Sequence, residues 1–422
     1  MRSVWIHTMG VLFGTLSSGT LLAQSADPPL TFSGALDRAL TQQPALAQFA
    51  FELRAQESRI AEAALRPPTT AEILVEDAAG SGERDGLSSA QTTLSLSQLL
   101  ELGGKRASRV AAVEAERARL KTTQAARQLD LVAEVARRFI DTLHAQAQIE
   151  NAEEGVRDAE RTQAAVIRRV REARSPAVEA ARAEVRRAQA RLDLEHAQHG
   201  WMSSRQFLAA AMGEREVRFG RAAGNLLELT ANVPFEELAS RLEATPDFLR
   251  FADETRVRDA QLRLAELRRR PDVTAQFGVR RFEAEDEFAL IAGISVPLNS
   301  ARRARSAIDV ARADRERLDS ERETAFLKVR AQLFAQYQEL EHARLEARVL
   351  QDNILPQLVD ALEKSEFAYQ RGRYSYLEWT DAQRELLSAR RRLSEVAAEF
   401  HTLRVEIERL TGESLGTIGA RP

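Results

Sequence analysis

The sequence predicts a mainly helical protein with a small β part. It expects long coiled-coil-like helical hairpins carrying four β-strands per chain. Three observations predict it. Composition is the first: charged residues make up 29% and aromatics 6% of the 422 residues, with 12 prolines and 20 glycines, an Ala/Arg/Glu/Leu mixture typical of helices and too poor in turn formers for an all-β chain. Periodicity is the second, with apolar residues at three- and four-residue steps over very long stretches. The third is a set of four short segments that break this period and alternate apolar with polar residues.

Before these elements comes a stretch unlike the rest. Arg2 precedes an apolar run through Val11–Leu16 and Leu21–Ala23, and Ala23-Gln24-Ser25 supplies small residues for cleavage. Residues 1–25 read as a secretory signal peptide, so the mature chain is expected to be exported. Beyond it no run of eighteen apolar residues occurs, which excludes a membrane-spanning helix in the mature chain. The net charge of −3 has no large block of one sign, which argues against nucleic acid as a partner. The absence of cysteine removes disulfides, thiol nucleophiles, zinc ribbons and a lipid-modified N-terminal cysteine.

The chain divides into two similar halves, expected at 27–220 and 233–414, with a linker at 221–232 and a tail at 415–422. Pro44 and Pro246, like Gly213 and Gly412, stand roughly 200 residues apart, far longer than a solenoid unit. Each half opens with a helix that runs up to prolines, at Pro67-Pro68 and Pro271. Val132, Val135, Phe139 and Leu143 in the first half, and Val329, Leu333, Tyr337 and Leu340 in the second, mark one helix face. From Leu102 to Arg171 there is no proline, so an unbroken helix would reach about 105 Å and require coiled-coil-like packing.

The strands are expected at about 69–78, 88–97, 271–281 and 287–297. In the third, Val273, Ala275, Phe277 and Val279 alternate with Thr274, Gln276, Gly278 and Arg280. In the fourth, Phe288, Leu290, Ala292 and Ile294 alternate with Ala289, Ile291, Gly293 and Ser295. Each strand has a dry and a wet face and about the 9–11 residues that a tilted strand needs to cross a bilayer. A sandwich with one solvated face fits the alternation equally well. Strand count separates the two, because two hairpins cannot hide their own edges, whereas three chains pooling strands would build a twelve-stranded barrel. On that arrangement Val273, Phe277, Val279, Leu290 and Ile294 face lipid, and Thr274, Gln276 and Ser295 face the lumen.

These residues resemble a known family. The stretch from Ile73-Leu74-Val75-Glu76-Asp77 through Thr92–Gln98 to Leu100-Glu101-Leu102-Gly103-Gly104-Lys105-Arg106 is similar to the TolC-like outer-membrane efflux proteins, and in particular to their heavy-metal cation (CzcC-like) branch. The resemblance implies a homotrimer with a short outer-membrane β-barrel continued by a long periplasmic helical tunnel. It also implies a periplasmic adaptor (membrane fusion) protein and an RND-type inner-membrane pump as partners, with no cofactor. Two departures stand out: Gly34 replaces the Glu of a capping box, leaving Thr31 to cap alone, and Ala173 replaces a glycine at the first periplasmic hairpin.

That hairpin is expected at Arg174-Ser175-Pro176, with Ser175 as N-cap and Pro176 at the first helical position. The second is expected at Gly372, with Ser375-x-x-Glu378 as a capping box. Arg174, Arg371, Arg373, Tyr374 and Tyr376 crowd these turns and are expected to gate the tunnel or dock the adaptor.

Catalytic constellations do not emerge. The loop Gly80–Gly86 has the wrong glycine spacing for a dinucleotide site and precedes a strand, so it reads as an external turn. Gly103-Gly104-Lys105 lacks the upstream glycine and following hydroxyl of a phosphate loop. His196 and His199 share a helix face without a third ligand, for which a solvated face suffices. The carboxylates from Glu283 to Glu287 sit at the outer mouth, attracting cations or simply solvating a turn. Three function classes follow: a passive export duct for heavy metals, drugs or secreted proteins; a periplasmic coiled-coil scaffold or adaptor; and an enzyme, which nothing in the sequence favours.

Overall fold

The computed structural model describes residues 28–231 and 233–412; the signal-peptide and tail segments expected at 1–25 and 415–422 lie outside the described residues. Each half repeats one order of elements. The first half runs β1 (Leu30–Thr31), α1 (Phe32–Gln42), α2 (Pro44–Ala63), β2 (Thr69–Glu76), β3 (Gln91–Leu100), α3 (Lys105–Arg171) and α4 (Ala177–Ala211). A short β4 (Ala222–Ala223) lies in the connection. The second half runs α5 (Phe235–Arg241), α6 (Pro246–Leu267), β5 (Val273–Phe282), β6 (Glu287–Ser295), α7 (Ser300–Val349), α8 (Leu355–Gln370) and α9 (Tyr376–Thr411). No helix among the described residues is long and apolar enough to cross a membrane.

The helix α3 is unbroken over 67 residues, about 100 Å of rod. Its counterpart in the second half is not continuous. One π-helical turn, Leu350–Ile354, separates α7 from α8, and Pro356 follows directly. Proline cannot donate the usual helical hydrogen bond and crowds the preceding turn, and the wider π turn accommodates both effects. Thr31 caps α1 through a 3.2 Å bond from the Gly34 amide, without a glutamate to reciprocate.

The four long strands form one antiparallel sheet in the order β2-β3-β5-β6. Its central β3–β5 pairing joins the two halves, and β2 and β6 remain open edges. The strand expected at 88–97 begins instead at Gln91. The chain is still turning before it, where the Ala90 amide bonds the Leu87 carbonyl, and the strand then continues to Leu100.

Apolar packing is distributed along the rod in separate clusters. Phe139, Ile140, Leu208, Met212 and Phe219 centre one at mid-length, where α1, α3, α4 and α9 meet β1 and β4. Gln146 fixes that level by bonding both the amide and the carbonyl of Ala222, at 2.7 and 3.0 Å. A second cluster joins α5–α7 to α9 around Leu242, Leu333 and Phe400. A third, with Val166, Tyr369, Tyr376 and Trp379, lies at the hairpin tips.

Candidate functional site: a two-faced sheet and clasped hairpin tips

Directly opposed residues of antiparallel strands share a face, so the register assigns every side chain of the sheet. Ile73, Leu94, Val279 and Leu290 form one row, and Ala71, Leu96, Phe277 and Ala292 the next. Ile294, opposite Ala275, and Val273, opposite Leu100, lie on the same side. This apolar face is bare within the chain: Leu290 is 88%, Ile294 78% and Phe277 67% exposed. Nothing in a single chain covers it.

The other face carries Thr70, Ser97, Gln276 and Gly293 in one row, with Thr274 and Ser295 paired towards the helical end. Leu74 and Ile291 also fall on it. Its polar groups bond one another: Gln276 Nε2 donates to Ser95 Oγ at 3.0 Å. Arg280 binds Thr93 Oγ1 at 2.8 Å, Gln91 Oε1 at 3.2 Å and Glu76 Oε2 at 2.8 Å. Gly278 is required between these two rows, since a Cβ there would lie 2.7 Å from the Leu94 carbonyl oxygen. The Arg280–Glu76 pair escaped the sequence reading because its partners are about 200 residues apart and only the register unites them.

Beyond the sheet, β3 passes into α3 through Gly103 and Gly104, with φ of 79° and 81°. Lys105 does not face a phosphate site. Its Nζ donates to Asp272 Oδ1 and to the Arg270 carbonyl, both at 2.7 Å, and the Leu102 amide shares the same Asp272 oxygen. Arg109 grips Glu101 at 2.6 and 3.2 Å and also the Ala63 and Leu65 carbonyls. The Leu-Glu-Leu-Gly-Gly-Lys-Arg stretch is thus a strand-to-helix joint, its glycines making the turn and Lys105 tying the two halves together.

The opposite end of the molecule holds the two hairpin tips, 172–176 and 371–375. Ala173 takes the left-handed conformation, φ 56°, which costs a Cβ-bearing residue roughly 1–2 kcal/mol and explains why a glycine is favoured there. Gly372 occupies the matching place in the second tip with φ 74°. Ser375 and Glu378 complete their capping box, Glu378 Oε2 accepting from the Ser375 amide at 2.7 Å and the Ser375 hydroxyl accepting in return.

Ser175 does not cap its helix as expected. Pro176 occupies the cap position, and the Ser175 hydroxyl accepts from Arg169 Nε at 3.1 Å. Arg169 is the residue that the sequence reading missed. Its Nη1 donates to the carbonyls of Tyr369 and Gln370 at 2.8 and 2.9 Å, and its Nη2 donates to the Arg174 carbonyl at 3.3 Å. The Tyr369 and Gln370 carbonyls lie at the C-terminal end of α8, where intrahelical donors run out, and the Tyr369 oxygen also accepts from the Gly372 amide at 2.9 Å; one guanidinium from the first hairpin thus helps to close the second. It also lies 4.7 Å from the Tyr369 ring, which stacks on Trp379 at 4.9 Å.

Tyr376, expected to gate the tunnel or dock the adaptor, is instead buried: it is 4% exposed and packs with Tyr369, Trp379 and Val166 inside the tip. Burial raises its phenol pKa first of all, with Arg186 opposing. Tyr374 and Arg373 are exposed, and Arg371 lies 4.1 Å from the centre of the exposed Phe367 ring. Arg174 is exposed and reaches Glu172 at 3.2 Å. His196 and His199 sit on an exposed stretch of α4, and among the described residues no group of three His, Cys, Asp or Glu is placed to hold a metal. Arg281 neutralises part of the outer turn through Glu283 and Asp286 at 3.1 and 3.2 Å.

A sheet with one bare apolar face, a hydrogen-bonded polar face and two open edges, carried on a helical rod, defines a wall segment of a membrane channel. The family profile described as Outer membrane efflux protein matches residues 35–214 and 238–413, and the chain belongs to that family. Its place is accordingly the outer membrane, with the long helices extending into the periplasm. The cobalt-zinc-cadmium resistance protein CzcC of Cupriavidus metallidurans is 28% identical over 389 residues, covering 92% of this chain and 91% of that protein. Among solved structures, CusC superposes with a TM-score of 0.74 at 18% identity, covering 91% of this chain and 92% of its own. The open state of the Neisseria gonorrhoeae MtrE outer membrane channel gives 0.72 at 18%, covering 94% and 92%.

Proposed function

We propose that three copies of this chain form a passive export duct for heavy-metal cations. Their pooled sheets make a twelve-stranded outer-membrane barrel, continued by a periplasmic helical tunnel. One observation carries the reading: β2 and β6 end the sheet as open edges beside a bare apolar face, an arrangement that is satisfied when strands pair between chains in lipid. Val273, Phe277, Val279, Leu290 and Ile294 then face lipid, and Thr274, Gln276, Ser295 and Arg280 face the lumen. The likeness to CzcC supports divalent metal as cargo.

The duct performs no chemistry of its own. Cargo reaches it from an RND-type inner-membrane pump through a periplasmic adaptor, and the clasped tips set whether the tunnel is open. Arg174, Arg371, Arg373 and Tyr374 present the polar and aromatic surface for the adaptor. A strain deleted for this gene should lose zinc, cobalt or cadmium tolerance and accumulate the metal, with plasmid-borne protein restoring both. Unchanged metal tolerance with lost tolerance to organic drugs would reassign the duct to drug efflux.

A further inference from the structure

The joint between sheet and helices is strongly basic. Arg66 follows α2, Arg106 lies in the first turn of α3, Arg268, Arg269 and Arg270 follow α6, and Arg302, Arg303 and Arg305 open α7. All of these arginines are exposed, and among the described residues none has a carboxylate within ion-pairing distance. The carboxylates at this level are already engaged, Glu101 by Arg109 and Asp272 by Lys105. Glu62 and Glu266, the last carboxylates of α2 and α6, form no ion pair with these arginines among the described residues. Elsewhere along the rod, exposed arginines commonly find an acid, as Arg191 does in Glu160 and Arg392 in Glu346.

This collar begins where the apolar face ends. Leu65 is 65% and Leu298 79% exposed, and Leu100 and Leu102 are a little under half exposed, forming a shoulder between the strands and the arginines. A cleft of about 410 Å³ opens there, with Arg66 and Arg106 on its rim and Gln98 and Leu100 on its wall. Gln98 and Leu100 share the sheet face of Leu94 and Leu96, so the cleft, which wraps the end of β3 and is also lined by Leu99, borders the apolar side of the sheet. Lys105 also lines it but is occupied by Asp272, which leaves the two arginines as its uncommitted donors. On the trimer proposed above, a threefold axis would repeat this band of arginines around the molecule.

We propose that the collar binds anionic phospholipid headgroups of the periplasmic leaflet, with the cleft beside Arg66 and Arg106 seating one phosphate and Leu100 contacting its acyl chain. Guanidinium groups pair with phosphate oxygens in a bidentate fork, and a basic band beside a membrane-facing apolar band draws anionic lipid. The collar would hold the barrel at a fixed depth. This inference goes beyond the duct reading and is independent of which cargo passes.

Native mass spectrometry of the detergent-purified, delipidated full-length assembly tests it, with phosphatidylglycerol, phosphatidylcholine or inorganic phosphate added at equal concentration. Phosphatidylglycerol should be retained well above phosphatidylcholine, and raised salt should erase the difference. An Arg66→Gln/Arg106→Gln assembly should bind it roughly tenfold more weakly, whereas Arg84→Gln, at the outer loop, should bind it like the parent. Equal retention of the two lipids, displacement of the lipid by an equal concentration of phosphate, or full retention by the intact Arg66→Gln/Arg106→Gln assembly would overturn the proposal.

Discussion

Arg169 and Tyr369, 200 positions apart in the chain, are locked together at the hairpin tips: the guanidinium donates to the Tyr369 carbonyl at 2.8 Å and lies 4.7 Å from the same residue's ring. The contact joins the end of α3 to the end of α8, so separating the two hairpins requires breaking it. A hydrogen bond from a charged donor of this kind is worth about 1.5–3 kcal/mol.

Arg169→Ala should therefore loosen the tips by about 2 kcal/mol while leaving the barrel intact. Amide exchange at 172–176 and 371–375 should accelerate, and single-channel conductance in planar bilayers should rise. Arg169→Lys should rescue only in part, since an ammonium cannot span three carbonyls and a hydroxyl with a planar fork. Parental exchange and conductance in Arg169→Ala would place the gate elsewhere.

The outer residues of the tips act through a different surface. Arg371→Ala with Arg373→Ala should keep assembly and the Arg169 contacts intact, because neither side chain has an ion-pair partner among the described residues. The pair of changes should instead reduce cross-linking to the adaptor or alter conductance. Parental values in both assays, with export in cells also unaffected, would leave these arginines as plain turn residues.

The two faces of β5 make opposite demands. Phe277→Arg places a charge on the bare apolar face and should cost assembly about 2–4 kcal/mol near the bilayer midplane. Gln276→Arg, one residue away on the polar face, should insert normally. Heat-modifiable migration of the membrane-extracted protein reads both, and equal tolerance would refute the face assignment.

His401 introduces a pH dependence at mid-rod. Its Nε2 bonds the Leu226 carbonyl at 3.0 Å, while Nδ1 is buried with no partner among the described residues. Burial lowers its pKa from the ordinary 6.5, Arg404 adds to this, and the Leu226 carbonyl and Glu228 oppose it. The unfolded chain therefore binds the proton more readily, so this contribution is complete above pH 6.5 and is lost as pH falls below it towards the folded value. Thermal melts should show a destabilisation over that window that is absent in His401→Gln. Identical pH profiles for the two proteins would remove His401 from the account.

What the sequence disclosed was local. The wet-dry alternation of Val273–Arg280, the Ser375–Glu378 box and the reversal at Gly372 each depend on neighbours within a few residues, which a linear reading can see. What it concealed was set by distant partners. Ser175 carries every mark of an N-cap, yet Arg169 claims its hydroxyl, and Arg169 itself sits in a run of arginines on a helix with no local feature to single it out. Tyr376 has the look of a loop aromatic but is buried by α3 and α8. The π turn at 350–354 did leave a signal, Pro356 inside an otherwise helical pattern, and it marks where α7 and α8 part.

The sheet's open edges make the central claim directly measurable. Light scattering coupled to size exclusion, on protein extracted from membranes with detergent, gives the mass of the protein component alone. Three chains per particle are predicted, because only strands pooled between chains remove the edges of β2 and β6. A monodisperse single chain that stays in solution without detergent would contradict the shared barrel and, with it, the duct.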